Sequence, residues 1–488
     1  MSGFAFHEGD DSINPSWQKY LDENPDAMVG GKVRLRLRDA VRLAFLRSRY
    51  YQRNLAAAKR AADAAETAAQ ADPQVFEAYR RCFFTQVAIG EFGLSGFVRP
   101  GSSTLSPHPG ETGGYLGLLL KARRVETIER QLDALRRSLG YLQIRYEVGV
   151  TSQVPIQEFK KFVVARQAEW VRAQDALQDS AEEFCTYTLG LPVEVPVVVE
   201  DRLLGTFALS DPSVDRYRDY LDAIRKDLSA LGGAVPEAIW TDTAAKLRGF
   251  RQEALGHLES LGQVVSRASA ASKARRAAAD AATAAEIDEA LADVESVPQL
   301  LRKNLYAIPD LPAQHDDSAR FQQLNSIQNW FDELAIVQLR ARLLALDVPQ
   351  ADFSLDQAEQ IAHARRPDAE LLKTDAALRR SLRGVLRKTL ADMRRLCRRF
   401  EISRAAATIA LRRFYFGFLL RTIGKHGVTW EDANTQMNLA LLDAYDAWDD
   451  LVACWVRCYA DRMRLFREMG VMRTDQDGLW VDEPPAPS

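Results

Sequence analysis

Residues Val125, Ile128, Leu132, Leu135, Leu139, Leu142 and Tyr146 alternate three and four apart, and no other feature of the chain limits its fold as tightly. Such spacing is the seam of a coiled coil, sustained here over about three heptads. After a break, Ile156, Val163, Trp170, Leu177 and Phe184 recur every seven residues. The pattern predicts two facing helices of about 30 residues, each about 45 Å long at 1.5 Å per residue. The reversal between them can be read in turn. Gly149 suits the left-handed position that closes a helix, Thr151 or Ser152 offers an N-cap oxygen, and Pro155 fits a first turn, where no amide partner is needed.

The same grammar returns near the C-terminus. Gly427 ends one helix, Thr429 offers the cap, and Glu431 and Asp432 place negative charge at the positive end of the next. From there Met437, Leu441, Ala444, Trp448, Leu451, Trp455, Cys458, Leu465 and Met469 again step by three and four. Both returning helices are expected to stop at a glycine, Gly190 and Gly470, and the halves open alike at Leu37 and Leu355. This reads as an internal duplication, too long in period for a solenoid repeat.

The expected layout follows. A polar arm covers 1–32, a first repeat 33–190 with its turn at 148–154, an inserted region 191–350, a second repeat 351–470 with its turn at 425–431, and a tail 471–488. The insert opens with "VEVPVVVEDRLL", a β-branched run expected at a sheet edge because of Pro196, and continues as several shorter helices. "GLWVDEP" is a candidate strand for the second half. The fold class expected is mainly α: elongated antiparallel hairpins with a small mixed β element.

Composition narrows the function. Lys and Arg number 64 against 67 Asp and Glu, a net charge of −3, which does not point to a nucleic-acid partner. No apolar run approaches the roughly 18 residues of a spanning helix, and no export signal stands at the first residues. The five cysteines, Cys82, Cys185, Cys397, Cys454 and Cys458, lack CxxC spacing and read as free thiols, with Cys454 and Cys458 packing residues on one helix. Six scattered histidines lack helix-borne metal spacing, and His426 beside the second turn suits a helix C-terminus instead. GxSxG, P-loop and HExxH patterns are absent, and the Asp449–Asp450 pair reads as solvated, so neither enzymatic activity nor a metal or cofactor is expected. A basic amphipathic helix carries Arg379, Arg380, Arg383, Arg387, Lys388, Arg394, Arg395, Arg398 and Arg399. Such a face suits anionic head groups or nucleic acid, but a solvated flank of a coiled-coil seam is the preferred account. Trp170, Trp448 and Trp455 read as core.

The phrases "RYEVGVTS", "TLGLP", "GVTWEDANTQMNLALLDAYDAW" and "YADRMRLFREMGVMRTDQDGLW", in this order and within a duplicated layout, resemble the TolC family of outer-membrane efflux and secretion ducts. The resemblance covers roughly residues 33 to 482 and is least evident in the insert. It implies a homotrimer whose helices form a hollow cylinder in the periplasm, joined to a shared β-barrel in the outer membrane. Such a duct exports passively and is energised by an inner-membrane pump through a periplasmic adaptor. The turns would then be adaptor-contacting tips: Glu147, Gly149, Thr151, Ser152 and Gln153 in the first, Gly427, Thr429, Trp430 and Glu431 in the second. The membrane strands are where the sequence departs from the family. Only Cys82 to Val98 offers a weak candidate, and the second half has none. Two expectations therefore stand side by side: a duct whose barrel takes another form, and a pore-less helical scaffold that docks partners through its tips.

Overall fold

The computed structural model describes residues 28–29, 32–36, 39–40, 114–147, 149, 152–189, 197–199, 203–209, 211–230, 235–247, 249–308, 317–348, 353–366, 372–373, 376–423, 430–471, 473–474 and 480–481. The polar arm before Met28, the helix expected beyond Ala40, the Cys82–Val98 segment, Thr151, Gly190, Gly427, Thr429 and His426 lie outside the described residues.

Helix dominates, as the spacing predicts. Four long helices make the body: α1 (Gly114–Glu147), α2 (Gln153–Glu183), α9 (Ala376–Ile423) and α10 (Trp430–Glu468). The insert supplies α3 (Pro212–Ala230), α4 (Glu237–Lys246), α5 (Phe250–Ala278), α6 (Ala281–Ala307) and α7 (Asp317–Ala345), and the short α8 (Leu355–Arg365) precedes α9. The strands β1 (Met28–Val29), β2 (Lys32–Leu35) and β3 (Val197–Val199) form one sheet, and β4 (Arg473–Thr474) pairs with β5 (Trp480–Val481) in another.

α2 packs on α1, α1 on α10, and α10 on α9, so the two hairpins form one layer with α2 and α9 at its flanks. Inside each hairpin the seam is apolar. Ile128, Leu132, Leu135 and Leu142 are buried, as are Met437, Leu441, Ala444, Trp448, Leu451, Cys458, Leu465 and Met469. Each large side chain withdrawn from water contributes about 1.5–3 kcal/mol. Tyr146 departs from its expected seam role and is 45% exposed. α9 and α10 approach so closely at Gly417 that a Cβ there would lie 3.0 Å from the Met437 Cα.

Contacts across the layer fix its direction. Ser138 donates to Asn438 at 3.0 Å and Thr127 donates to Asp449 at 2.8 Å, so α1 and α10 run antiparallel. The ends of α1 and α9 therefore lie at the same end of the layer as the starts of α2 and α10. Both reversals sit there.

At the other end, β2 pairs in parallel with β3 through Val33↔Val197, which places β3 at the edge expected from Pro196. Tyr115 donates its hydroxyl to the Leu35 carbonyl at 3.1 Å, fastening this sheet to the start of α1. The C-terminal strand pairs with its own neighbour, Thr474↔Trp480, and not with this sheet. α2 does not end in a simple cap: it runs into a π-helical turn, Phe184–Leu189, in which the consecutive Phe184 and Cys185 are both buried.

The insert is more regular than its sequence suggests. Three of its helices, α5, α6 and α7, run to 29, 27 and 29 residues, where shorter ones were expected. The Ala-rich run is divided at Asp280, whose side chain accepts from the Thr283 amide and restarts the chain as α6. These helices bury Trp240, Leu261, Leu301, Phe331, Leu334 and Val337 in a core of their own. Tyr415 to Glu333 at 2.8 Å and Arg412 to Asp293 at 2.8 Å join this unit to α9.

Candidate functional site: the hairpin tips and a charged cleft

The first tip is built as its sequence dictates, with one exception. Glu147 is the last residue of α1, Gly149 adopts φ +74° and donates its amide to the Tyr146 carbonyl at 2.9 Å, and Gln153 opens α2. Ser152 has the extended backbone of an N-cap, φ −90° and ψ 172°, yet its hydroxyl makes no capping bond. A cap oxygen serves the amide of the second or third helical residue, and the third here is Pro155, which has none, so only the Val154 amide is left for it. Just behind the turn, Leu135, Leu142, Ile156 and Phe159 close the hairpin. Tyr146 and Val154, the latter 67% exposed, add an apolar surface to the tip that heptad counting missed.

At the second tip α9 ends at Ile423, and Trp430 and Glu431 open α10. The geometry brings Glu147, Gly149, Ser152 and Gln153 to the same end of the layer as Trp430 and Glu431.

The seam between the two hairpins is polar. Thr127, Gln131, Ser138, Asn434 and Asn438 are all buried there. Gln131 reaches the Leu442 carbonyl at 3.5 Å, and Asn438 donates to the Asn434 carbonyl at 2.7 Å. The side chain of Asn434 leaves both its nitrogen and its oxygen without a hydrogen bond. Asp449, expected in solvent, lies instead against Arg124 at 2.7 Å and Thr127. Burial pushes its carboxyl up to about 6, and the Arg124 hydrogen bond offsets this only in part.

A cleft of about 380 Å³ opens between α1, α3, α7 and α10. Its charges are paired across elements: Arg130 with Asp215 at 2.9 Å, Arg137 with Asp222 at 3.2 Å, and Arg218 with Asp332 at 2.7 Å. Tyr445 lines the same cleft, and burial raises its phenol above the ordinary range despite the neighbouring guanidinium groups. The first two pairs join the insert to the first hairpin, and the third joins α3 to α7 within the insert. Each guanidinium faces a carboxylate, an arrangement suited to holding two units together.

The nine basic residues from Arg379 to Arg399 on α9 are exposed, while Leu382, Leu386, Met393 and Phe400 on the same helix are buried. Arg383 meets Glu359 at 2.8 Å, and Arg395 meets Asp392. Cys454 and Cys458 pack in the core as expected, and Cys397 lies beside Cys458. Burial raises the Cys454 thiol, and the Cys397 contact together with burial raises that of Cys458. Trp448 is buried and donates to the Phe207 carbonyl at 3.1 Å, whereas Trp170 and Trp455 are half-buried. Among the described residues no group of His, Cys, Asp and Glu is placed to hold a metal ion, and no helix is long and apolar enough to cross a membrane.

No family model, no curated protein and no solved structure gives a significant match to this chain.

Proposed function

We propose that this chain is a wall component of a TolC-like outer-membrane efflux or secretion duct, a homotrimer for passive export whose hairpin tips meet a periplasmic adaptor and, through it, an inner-membrane pump. One observation carries the proposal: two long antiparallel hairpins stand side by side with both reversals at one end, the first closed by Gly149 at φ +74°. A partner approaching along the helix axes would meet both turns together. Exposed Tyr146 and Val154 give that end an apolar contact surface. The role is non-enzymatic, in keeping with cleft carboxylates that face guanidinium groups.

A second reading, a pore-less scaffold docking through the same tips, is favoured by the link between α8 and α9. Only residues 366–375 separate these helices, and Leu372 and Lys373 within them are helical. Two barrel-spanning strands need about 9–11 residues each, more than this link supplies. Fractionation separates the readings. A detergent-stable trimer in outer membranes supports the duct, and a species soluble without detergent supports the scaffold. Tip-directed cross-linking that captures no adaptor in the membrane fraction would count against the duct.

A further inference from the structure

The cleft between α1, α3, α7 and α10 holds more than the ion pairs across its walls require. Seven carboxylates line its volume of about 380 Å³ against three guanidinium groups. Arg130, Arg137 and Arg218 are taken up by Asp215, Asp222 and Asp332, whereas Glu129 and Asp219, both exposed, form no ion pair among the described residues. Such a surplus draws cations into a cleft.

Acidic side chains alone do not make a site, but a buried amide here points to an occupant. Gln328 of α7 lines the cleft, is only 7% exposed, and its side chain makes no hydrogen bond among the described residues. A side-chain amide offers two donors and an acceptor, and leaving them idle out of solvent is unfavourable, so a molecule that pairs with them gains by entering. The Tyr445 hydroxyl on α10 also lines the cleft and is likewise without a hydrogen bond among the described residues.

These two groups stand at different heights. Ser138 pairs with Asn438 and Thr127 with Asp449, a register that sets Tyr445 level with Gln131, beside Arg130. α3 runs parallel to α1, Arg130 to Asp215 and Arg137 to Asp222, and α7 runs against α3, Arg218 to Asp332 and Arg342 to Asp211 at 3.9 Å. That register sets Gln328 level with Asp222 and Arg137. Tyr445 and Gln328 are therefore about 10 Å apart along the helices, at 1.5 Å per residue. Ile336, Leu339, Phe418, Met437 and Leu441 give the same cleft an apolar lining.

We propose that this cleft binds a linear organic diammonium ion, a molecule of the polyamine class. One ammonium group sits at the Tyr445 end beside Glu129, the other donates to the Gln328 amide oxygen beside Asp222, and the methylene chain lies against the apolar lining. Asp219, between the two ends, adds to the negative field. A divalent metal ion is a poorer match, since among the described residues no three carboxylates converge as its ligands would. The site depends on neither reading of function.

The test is calorimetric titration of the purified full chain with octamethylenediamine, octylamine, octamethylene glycol and suberate, which share one chain length and differ in charge. The diamine is expected to bind about tenfold more tightly than the glycol, with octylamine between them and suberate below detection. Glu129→Gln with Asp219→Asn should weaken the diamine about fivefold and leave the glycol unchanged, and Gln328→Leu should weaken the diamine about threefold. Glu129 and Asp219 are exposed, so their variant reports on the cleft whether or not Gln328→Leu folds. Asp175→Asn, at an exposed position of α2 outside the cleft, should change nothing. Equal affinity for all four compounds, no heat from the diamine, a diamine affinity unchanged in the Glu129 and Asp219 variant, or one lowered equally by Asp175→Asn overturns the proposal. Membrane fractionation reports on the duct separately, so the two can fail independently.

Discussion

Ser138 and Asn438 hydrogen-bond at 3.0 Å across 300 residues of sequence, both buried between hairpins whose own interiors are apolar. The chain thus joins its halves through polar groups that must satisfy one another, and a buried group left without a partner costs about 1–3 kcal/mol.

Asn434 is such a group, with both side-chain polar atoms unpaired at 0% exposure. Asn434→Leu, close in volume and apolar, is expected to raise stability by about 1–2 kcal/mol. A denaturant midpoint that falls would show that the amide has a partner in solution.

Asp449 gives a pH signature. Its carboxyl is raised in the folded chain to about 6 from an ordinary 3.8, so the folded state holds this proton more tightly than the unfolded state does. Its contribution therefore favours folding at low pH and is lost as pH rises through that window. Asp449→Asn lacks this dependence. Relative to the unmodified chain it should gain on the order of 2 kcal/mol between pH 4 and pH 7. Denaturation at both pH values checks this, and a difference independent of pH would refute it.

Gly149 and Gly470 both adopt positive φ, +74° and +70°, but their surroundings differ. Nothing lies within 4 Å of a Cβ at 149, whereas at 470 it would sit 2.9 Å from the Arg366 Cα. Gly149→Ala should cost about 1–2 kcal/mol from backbone strain, and Gly149→Asn less. Gly470→Ala should cost more, with no relief from Asn, because backbone must move. Equal losses at the two sites would contradict the geometry.

The thiols should label in order of exposure. Cys397 is half-buried, while Cys454 and Cys458 are 1% and 0% exposed and their thiols are held protonated. Maleimide labelling followed by peptide mapping should find Cys397 modified at least tenfold faster than the other two. Comparable rates would mean that α9 and α10 separate readily.

What the sequence disclosed follows from what is local. The line from Met437 to Met469 needs only three-and-four spacing to be read, and the closure at Gly149 needs only a glycine between two such lines. The idle Ser152 hydroxyl was not legible: the sequence offers it as a cap oxygen, and Pro155 removes only one of the two amides it could serve. The pairing of Thr127 with Asp449 was not, because it depends on how two hairpins meet across the layer. Asp449 looked solvated for that reason. The long insert helices were underestimated because alanine buries as readily as it is exposed, so their periodicity is faint. Edge residues such as Ile409 and Val171 share the spacing of core residues, and only the packed layer tells them apart.

The π-helical turn at Phe184–Leu189 holds one more residue than an α-turn would. Loss of a single residue there would leave an ordinary helix with every following side chain in a usable direction, whereas the same loss inside α2 would rotate all that follows by about 100°. Length variation in kindred chains should therefore collect at this turn, which would make it a record of past insertion.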